Sequence, residues 1–125
     1  MSAAVWVGVA GAGAVGAPAR YLLDAWISDR NDRDFPAATL VINVGGSLIL
    51  GFITGLALYH AFPSTARVIL GTGFCGAYTT FSTFAFETAQ LVERNNRRGA
   101  LVNIVVSVSA SAAAAALGIV LAAFL

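Results

Sequence analysis

Four stretches of this chain carry no charged residue: 1–19, 35–66, 68–86 and 99–125. Each approaches or exceeds the roughly 20 apolar residues that a helix needs to cross hydrocarbon. Between them lie short polar clusters, Ser28-Asp29-Arg30-Asn31-Asp32-Arg33-Asp34 and Arg94-Asn95-Asn96-Arg97-Arg98-Gly99, which read as aqueous loops. The pattern predicts helices at about 3–26, 36–59, 65–94 and 100–124 in one domain covering 1–125. Trp6 and Trp26, about 30 Å apart on a helix, suit two interfacial anchors of the first. The fold class is therefore all-α integral membrane, with four transmembrane helices.

The third window departs from the apolar rule. Thr79-Thr80-Phe81-Ser82-Thr83-Phe84 places four hydroxyls and two phenylalanines at mid-depth, just after Gly71, Gly73 and Gly76. Polar groups there are costly and mark an ion or substrate path. Glycines beside them predict a third helix broken at its centre, which is tolerated only where the backbone is buried or lines a cavity.

Composition agrees. Charged residues make up 10% of the chain, against about 25% in soluble domains. The seven basic residues are all arginine, lie mostly in loops and call for no nucleic-acid partner. The single Cys75 excludes an internal disulfide and a four-ligand zinc site within one chain. The first basic residue is Arg20, so the first window lacks the basic start of a signal peptide and reads as a retained helix.

Gly11-Ala12-Gly13-Ala14-Val15-Gly16 matches the GxGxxG pattern, and Asp34 lies near the distance of a ribose-binding acid. No strand–helix–strand pattern follows, so glycine spacing for helix packing is the better reading, as it is for Gly51 and Gly55 and for the alanines at 112–116. Three polar stripes remain. Thr39, Asn43 and Ser47 share a face of the second helix, and Asn103, Ser107 and Ser111 share one of the fourth. Each stripe alone fits interhelical hydrogen bonding. Together with the Thr79–Phe84 segment they indicate a shared hydrophilic path. Arg20 and Asp24 are spaced to pair on one helix face. Glu87 is the only acid well inside the third helix, and His60 ends the second. No nucleophile has a base beside it, so the chain is not read as an enzyme. Phe81 and Phe84 share a face, and their positive ring edges can meet a small anion without trapping it as a full charge would.

The chain resembles the fluoride channels of the Fluc (CrcB) family over its whole length. The resemblance rests on Gly16-Ala17-Pro18-Ala19-Arg20-Tyr21, on Thr39-Leu40-Val41-Ile42-Asn43-Val44-Gly45-Gly46 and above all on Gly73-Phe74-Cys75-Gly76-Ala77-Tyr78-Thr79-Thr80-Phe81-Ser82-Thr83-Phe84. It implies an antiparallel dimer in the cell (plasma) membrane that exports fluoride passively and relieves its toxicity. It further implies two pathways along the subunit interface and a structural Na+ at the dimer centre, held by the backbone carbonyls of Gly76 and Thr79 from both subunits. By the same resemblance Phe81 and Phe84 are the pore phenylalanines, Asn43 donates to fluoride, and Thr83, Ser107 and Ser111 continue the polar track. Thr39 joins the pore stripe, with Arg20 near an aqueous entrance and Glu87 in a vestibule. Ala77 and Tyr78 depart from the commoner family pattern.

Arg30, Arg33, Arg94, Arg97 and Arg98 fall in loops on one side, and Arg67 alone on the other. The positive-inside rule puts the arginine-rich side in the cytoplasm. That bias allows an oppositely oriented paralogue as partner in place of a second copy. The rival class, a small proton-coupled multidrug exporter, needs a membrane-embedded carboxylate in the first helix, where only Asp24 stands, near its end.

Overall fold

The computed structural model describes residues Met1–Leu125, all of them helical or in short connections. Its elements are α1 (Ala3–Ser28), α2 (Ala37–Tyr59), α3 (Ser64–Val68), a π-helical segment (Ile69–Cys75), α4 (Gly76–Tyr78), α5 (Ser82–Glu93) and α6 (Arg97–Ala123). The 65–94 region thus starts at Ser64 and ends at Glu93, with helical geometry suspended between Tyr78 and Ser82.

Two boundaries differ from the sequence reading. Helix α1 runs on to Ser28, whose hydroxyl donates to Asp24 Oδ1 at 2.9 Å, while Arg30 extends over the Trp26 ring. Helix α6 starts at Arg97, three residues before the expected start at 100. The reason lies in two asparagines. Asn95 takes a left-handed φ of 59°, and the N–H groups of Asn95 and Asn96 close on the Val92 and Leu91 carbonyls. This is the Schellman arrangement that ends a helix. Asn96 then caps α6, its side chain accepting the Gly99 N–H at 2.9 Å.

The main seam joins α2 to α6. A Cβ at Gly51 would strike the backbone of Ala115, and one at Gly118 the backbone of α2 at Leu48 and Phe52. Only glycine permits this backbone approach, as expected of small residues between membrane helices. At the seam's end, His60 Nε2 donates to the Ala122 carbonyl at 2.7 Å. Helix α1 packs on the π-helical segment and α4, with Gly16 against the Phe74 carbonyl and Gly73 against Val9. The GxGxxG glycines therefore all lie inside one continuous helix, with no strand or phosphate-binding turn.

The surface suits lipid. Helices α2 and α6 are long and apolar enough to cross a membrane, yet only 28% and 17% of their most apolar windows are buried. The accessible surface is 7602 Å², against about 6,300 Å² for a soluble monomer of this mass. Trp6, Val7, Leu22, Val105, Val108 and Leu121 are among the large apolar side chains left uncovered. An all-helical chain with this outer face is a membrane protein.

Candidate functional site

The site forms where the helix stops. Thr79 turns extended, with ψ 163°, and α5 begins three residues later. Two side chains from other helices hold the connecting backbone. Asn43 of α2 donates through Nδ2 to the Thr80 carbonyl at 2.8 Å and accepts the Thr80 N–H on Oδ1 at 2.9 Å. Arg20 of α1 donates to the Thr79 carbonyl at 3.4 Å. Gly46 makes the approach possible, since a Cβ there would collide with the Thr79 methyl and the Tyr78 ring.

The new helix end is capped from within. Thr80 Oγ1 accepts the Thr83 N–H at 3.2 Å and donates to the Thr83 hydroxyl at 3.1 Å. Thr79 spends its hydroxyl on the Cys75 carbonyl at 2.8 Å. All of this lies far from the chain's loops, so hydroxyls take over the capping that water would otherwise supply.

Beside the break is a cavity of about 380 Å³, lined by Asn43, Ser47, Gly76, Thr79, Thr80, Phe81, Phe84, Ser107 and Ser111 among others. Helices α2, α5 and α6 and the broken end of α4 all contribute. The Phe81 and Phe84 rings lie 5.9 Å apart at 49° to one another. Phe81 is 78% exposed, so its ring has no cover within this chain.

Of the residues singled out from the sequence, the cavity gathers Asn43, Phe81, Phe84, Ser107, Ser111, Gly76 and Thr79. Thr83 stands behind it, bonded to Thr80. Thr39 and Glu87 lie elsewhere. They neighbour each other, but no well-formed hydrogen bond joins them, and Thr39 Oγ1 and Glu87 Oε2 are both buried without a partner. Glu87 opens on a second cavity of about 160 Å³ with Asp34, Gln90 and Arg94. Arg20 faces the break and does not pair with Asp24, which takes Ser28 instead.

The α6 stripe divides. Asn103 is 1% exposed and joins α6 to α5, donating to Thr88 Oγ1 at 2.9 Å and accepting from Ser107 at 3.3 Å. Thr88 in turn donates to the Phe84 carbonyl at 2.7 Å. Asn103 is thus a packing residue, while Ser107 and Ser111 reach the cavity.

Sequence reasoning missed the π-helical turn, for which Gly71 and Gly73 were the available signal, and the capping role of Thr80. It also missed that both polar groups of Asn43 serve the backbone of Thr80.

The chain is similar to known proteins over nearly its whole length. It is 50% identical over 115 residues to the "Fluoride-specific ion channel FluC 2" of Mycolicibacterium paratuberculosis, covering 92% of this chain and 91% of that one. It is 47% identical over 118 residues to the protein of the same name from Mycobacterium tuberculosis, covering 94% and 90%. To "Fluoride-specific ion channel FluC 1" of Leifsonia xyli it is 45% identical over 119 residues, covering 95% and 87%. With residues 6–119 also matching the family described as "CrcB-like protein, Camphor Resistance (CrcB)", this interrupted helix and its cavity belong to a member of the CrcB family.

Proposed function

We propose that this chain is a passive, fluoride-selective channel of the plasma membrane that lets fluoride leave the cytoplasm. The observation that carries the reading is the break at Thr79–Phe81, which opens onto a cavity lined by an amide, hydroxyls and two phenyl rings and by no charged side chain. Fluoride is small and strongly hydrated. A path for it must replace water by many weak donors and must hold none of them so strongly that the ion stays. The Asn43 amide, the Ser107 and Ser111 hydroxyls and the positive edges of Phe81 and Phe84 are donors of that kind. The N-terminus of α5 adds partial positive charge beside them.

The cavity has room for roughly a dozen water molecules at about 30 Å³ each, far more than a selective path for one small ion. Its missing wall, together with the uncovered Phe81 ring, supports assembly with a second subunit in which the 64–93 region is one transmembrane helix broken at its centre. We take the assembly to be an antiparallel dimer, of two copies or of this chain with an oppositely oriented paralogue. The arginine distribution bears on that choice. The cavity formed by Asp34 with Gln90 and Arg94 puts the two arginine-rich connections at one end of the bundle.

The break also suits a cation. The Thr80 N–H that would close on the Gly76 carbonyl goes to Asn43, so that oxygen stays free at the partly negative end of α4. The Gly76 carbonyls of two subunits would offer hard oxygens, the donor type that Na+ prefers, and the Thr79 carbonyls would join them, to make four, through the lone pair that the long 3.4 Å contact with Arg20 leaves. When bound, the ion would supply a fixed positive charge at the dimer centre.

The alternative of a proton-coupled exporter draws no support from α1. Its Asp24 lies one turn from the helix end and accepts from Ser28. Fluoride efflux from liposomes carrying this chain alone tests both ion and self-assembly. Efflux is expected for the wild type and a loss of at least tenfold for Phe81→Ile. A Phe81→Ile protein that conducts like wild type would overturn the reading; silent liposomes of the chain alone would exclude the two-copy assembly, and silence with the oppositely oriented paralogue added would overturn the channel.

A further inference from the structure

In an uninterrupted α-helix the Thr80 N–H would bond the Gly76 carbonyl, and the Thr80 carbonyl would accept the Phe84 N–H. In this protein a single side chain takes both. Asn43 Oδ1 accepts the Thr80 N–H at 2.9 Å and Asn43 Nδ2 donates to the Thr80 carbonyl at 2.8 Å. The two main-chain groups that lose Thr80 are the Gly76 carbonyl on one side of the break and the Phe84 N–H on the other. Both residues line the cavity. Neighbouring N–H groups do not refill the gap: Thr79 N–H goes to Cys75, Thr83 N–H to Thr80 Oγ1, and Ala85 N–H to the Phe81 carbonyl.

We infer that Asn43 is the positioning residue that keeps the helix broken, standing in for the Gly76 carbonyl and the Phe84 N–H so that one is released as an acceptor and the other as a donor at the cavity wall. The inference deepens the channel reading and rests on it for the use made of the released groups. An asparagine is the side chain suited to the task, since it presents one acceptor and one donor in the plane of a peptide. Thr80 is only 8% exposed, so without Asn43 both its polar groups would lose their partners with little access to water. In a membrane interior that is expensive, and refolding of 76–84 into continuous helix is the nearest remedy. Two of the four hydrogen bonds open to the Asn43 amide are spent; its second Nδ2 proton is free and can still serve the ion.

The test is residue-resolved hydrogen exchange of the full-length protein in nanodiscs, comparing wild type with Asn43→Leu, which keeps the volume but neither polar group. In wild type the Thr80 amide should be protected and the Phe84 amide should exchange freely through the cavity. In Asn43→Leu the Phe84 amide should become protected by about tenfold or more as it closes on Thr80, while amides in α2 and α6 keep their wild-type rates. General loosening would instead speed exchange everywhere, and a residue acting only on the ion would change nothing. If Asn43→Leu does not assemble, Asn43→Ala gives the same comparison, and the wild-type pair of amides is itself decisive. A Phe84 amide already protected in wild type, or unchanged in both variants, overturns the inference. Liposomes silent to fluoride, both with this chain alone and with an oppositely oriented paralogue added, would overturn the channel reading and leave this exchange result standing.

Discussion

Replacing Asn103 by leucine separates packing from permeation along α6. Asn103 makes two hydrogen bonds, to Thr88 Oγ1 at 2.9 Å and from Ser107 Oγ at 3.3 Å, and is almost fully buried between α5 and α6. Leucine fills a similar volume, so no large cavity term arises. The loss is then the two bonds. Side-chain hydrogen bonds between membrane helices average about 0.6 kcal/mol and reach about 1.7, which sets the expected loss at about 1–3 kcal/mol. The broken partners limit it further: Thr88 still donates to the Phe84 carbonyl, and a serine in a helix can turn its hydroxyl to the carbonyl four residues back. Stability would be read by unfolding in mixed micelles, and permeation by fluoride efflux from liposomes. Asn103→Leu should lower stability by that amount and leave efflux within about twofold of wild type. Efflux abolished at unchanged stability would refute the assignment of Asn103 to packing and return it to the ion path.

Three further outcomes follow from the same geometry. Gly51→Ala sets a Cβ into the main chain of Ala115, which cannot rotate away, so α2 and α6 must part; a loss of about 1–3 kcal/mol is expected on thermal unfolding, and an unchanged midpoint would remove the seam's importance. Thr39→Val deletes a buried hydroxyl that has no partner at nearly constant volume; stability should hold or rise by about 1 kcal/mol, while a fall in efflux would show that the hydroxyl serves the ion. Exchanging Na+ for a large organic cation should lower the purified protein's thermal midpoint if the Gly76 and Thr79 carbonyls hold sodium, and an identical midpoint in both salts would sink that assignment.

What could be read from the sequence was whatever depends on position along one helix. Charge-free windows located the helices to within a few residues, and the spacing of Asn43, Ser107 and Ser111 placed them on faces that meet at one cavity. Errors arose where a neighbouring element decides the outcome. Periodicity puts Asn103 and Ser107 on one face but cannot tell that Thr88 of α5 claims the first. Arg20 and Asp24 have the spacing of a pair, yet the free carbonyl of Thr79 and the nearby Ser28 hydroxyl are the partners they find. Loop polarity placed residues 95–99 outside any helix, whereas a left-handed Asn95 and a capping Asn96 confine the turn to 94–96. The π-helical turn at Ile69–Cys75 has no periodic signature, because its residues are apolar or small on every face and leave no polar stripe whose shift would show the extra residue in the turn.

A helix broken inside a membrane has two ends of opposite partial charge, and in an unsupported break they would attract each other and close. Here they are kept apart at little electrostatic cost. Arg20 approaches the carbonyl end at Thr79, Thr80 caps the N–H end through Thr83, and Asn43 satisfies the residue between them with a group that carries no net charge. A charged side chain in place of Asn43 would cancel one end's field and reinforce the other's. A neutral amide leaves both in place. The same few residues can therefore offer oxygens to a cation and N–H groups to an anion without a charged side chain lining the cavity. That arrangement reconciles weak ion contacts with a rigid backbone: rigidity comes from the bonds that Asn43, Arg20 and the Thr80 hydroxyl make to the main chain, and the cavity wall keeps only weak donors.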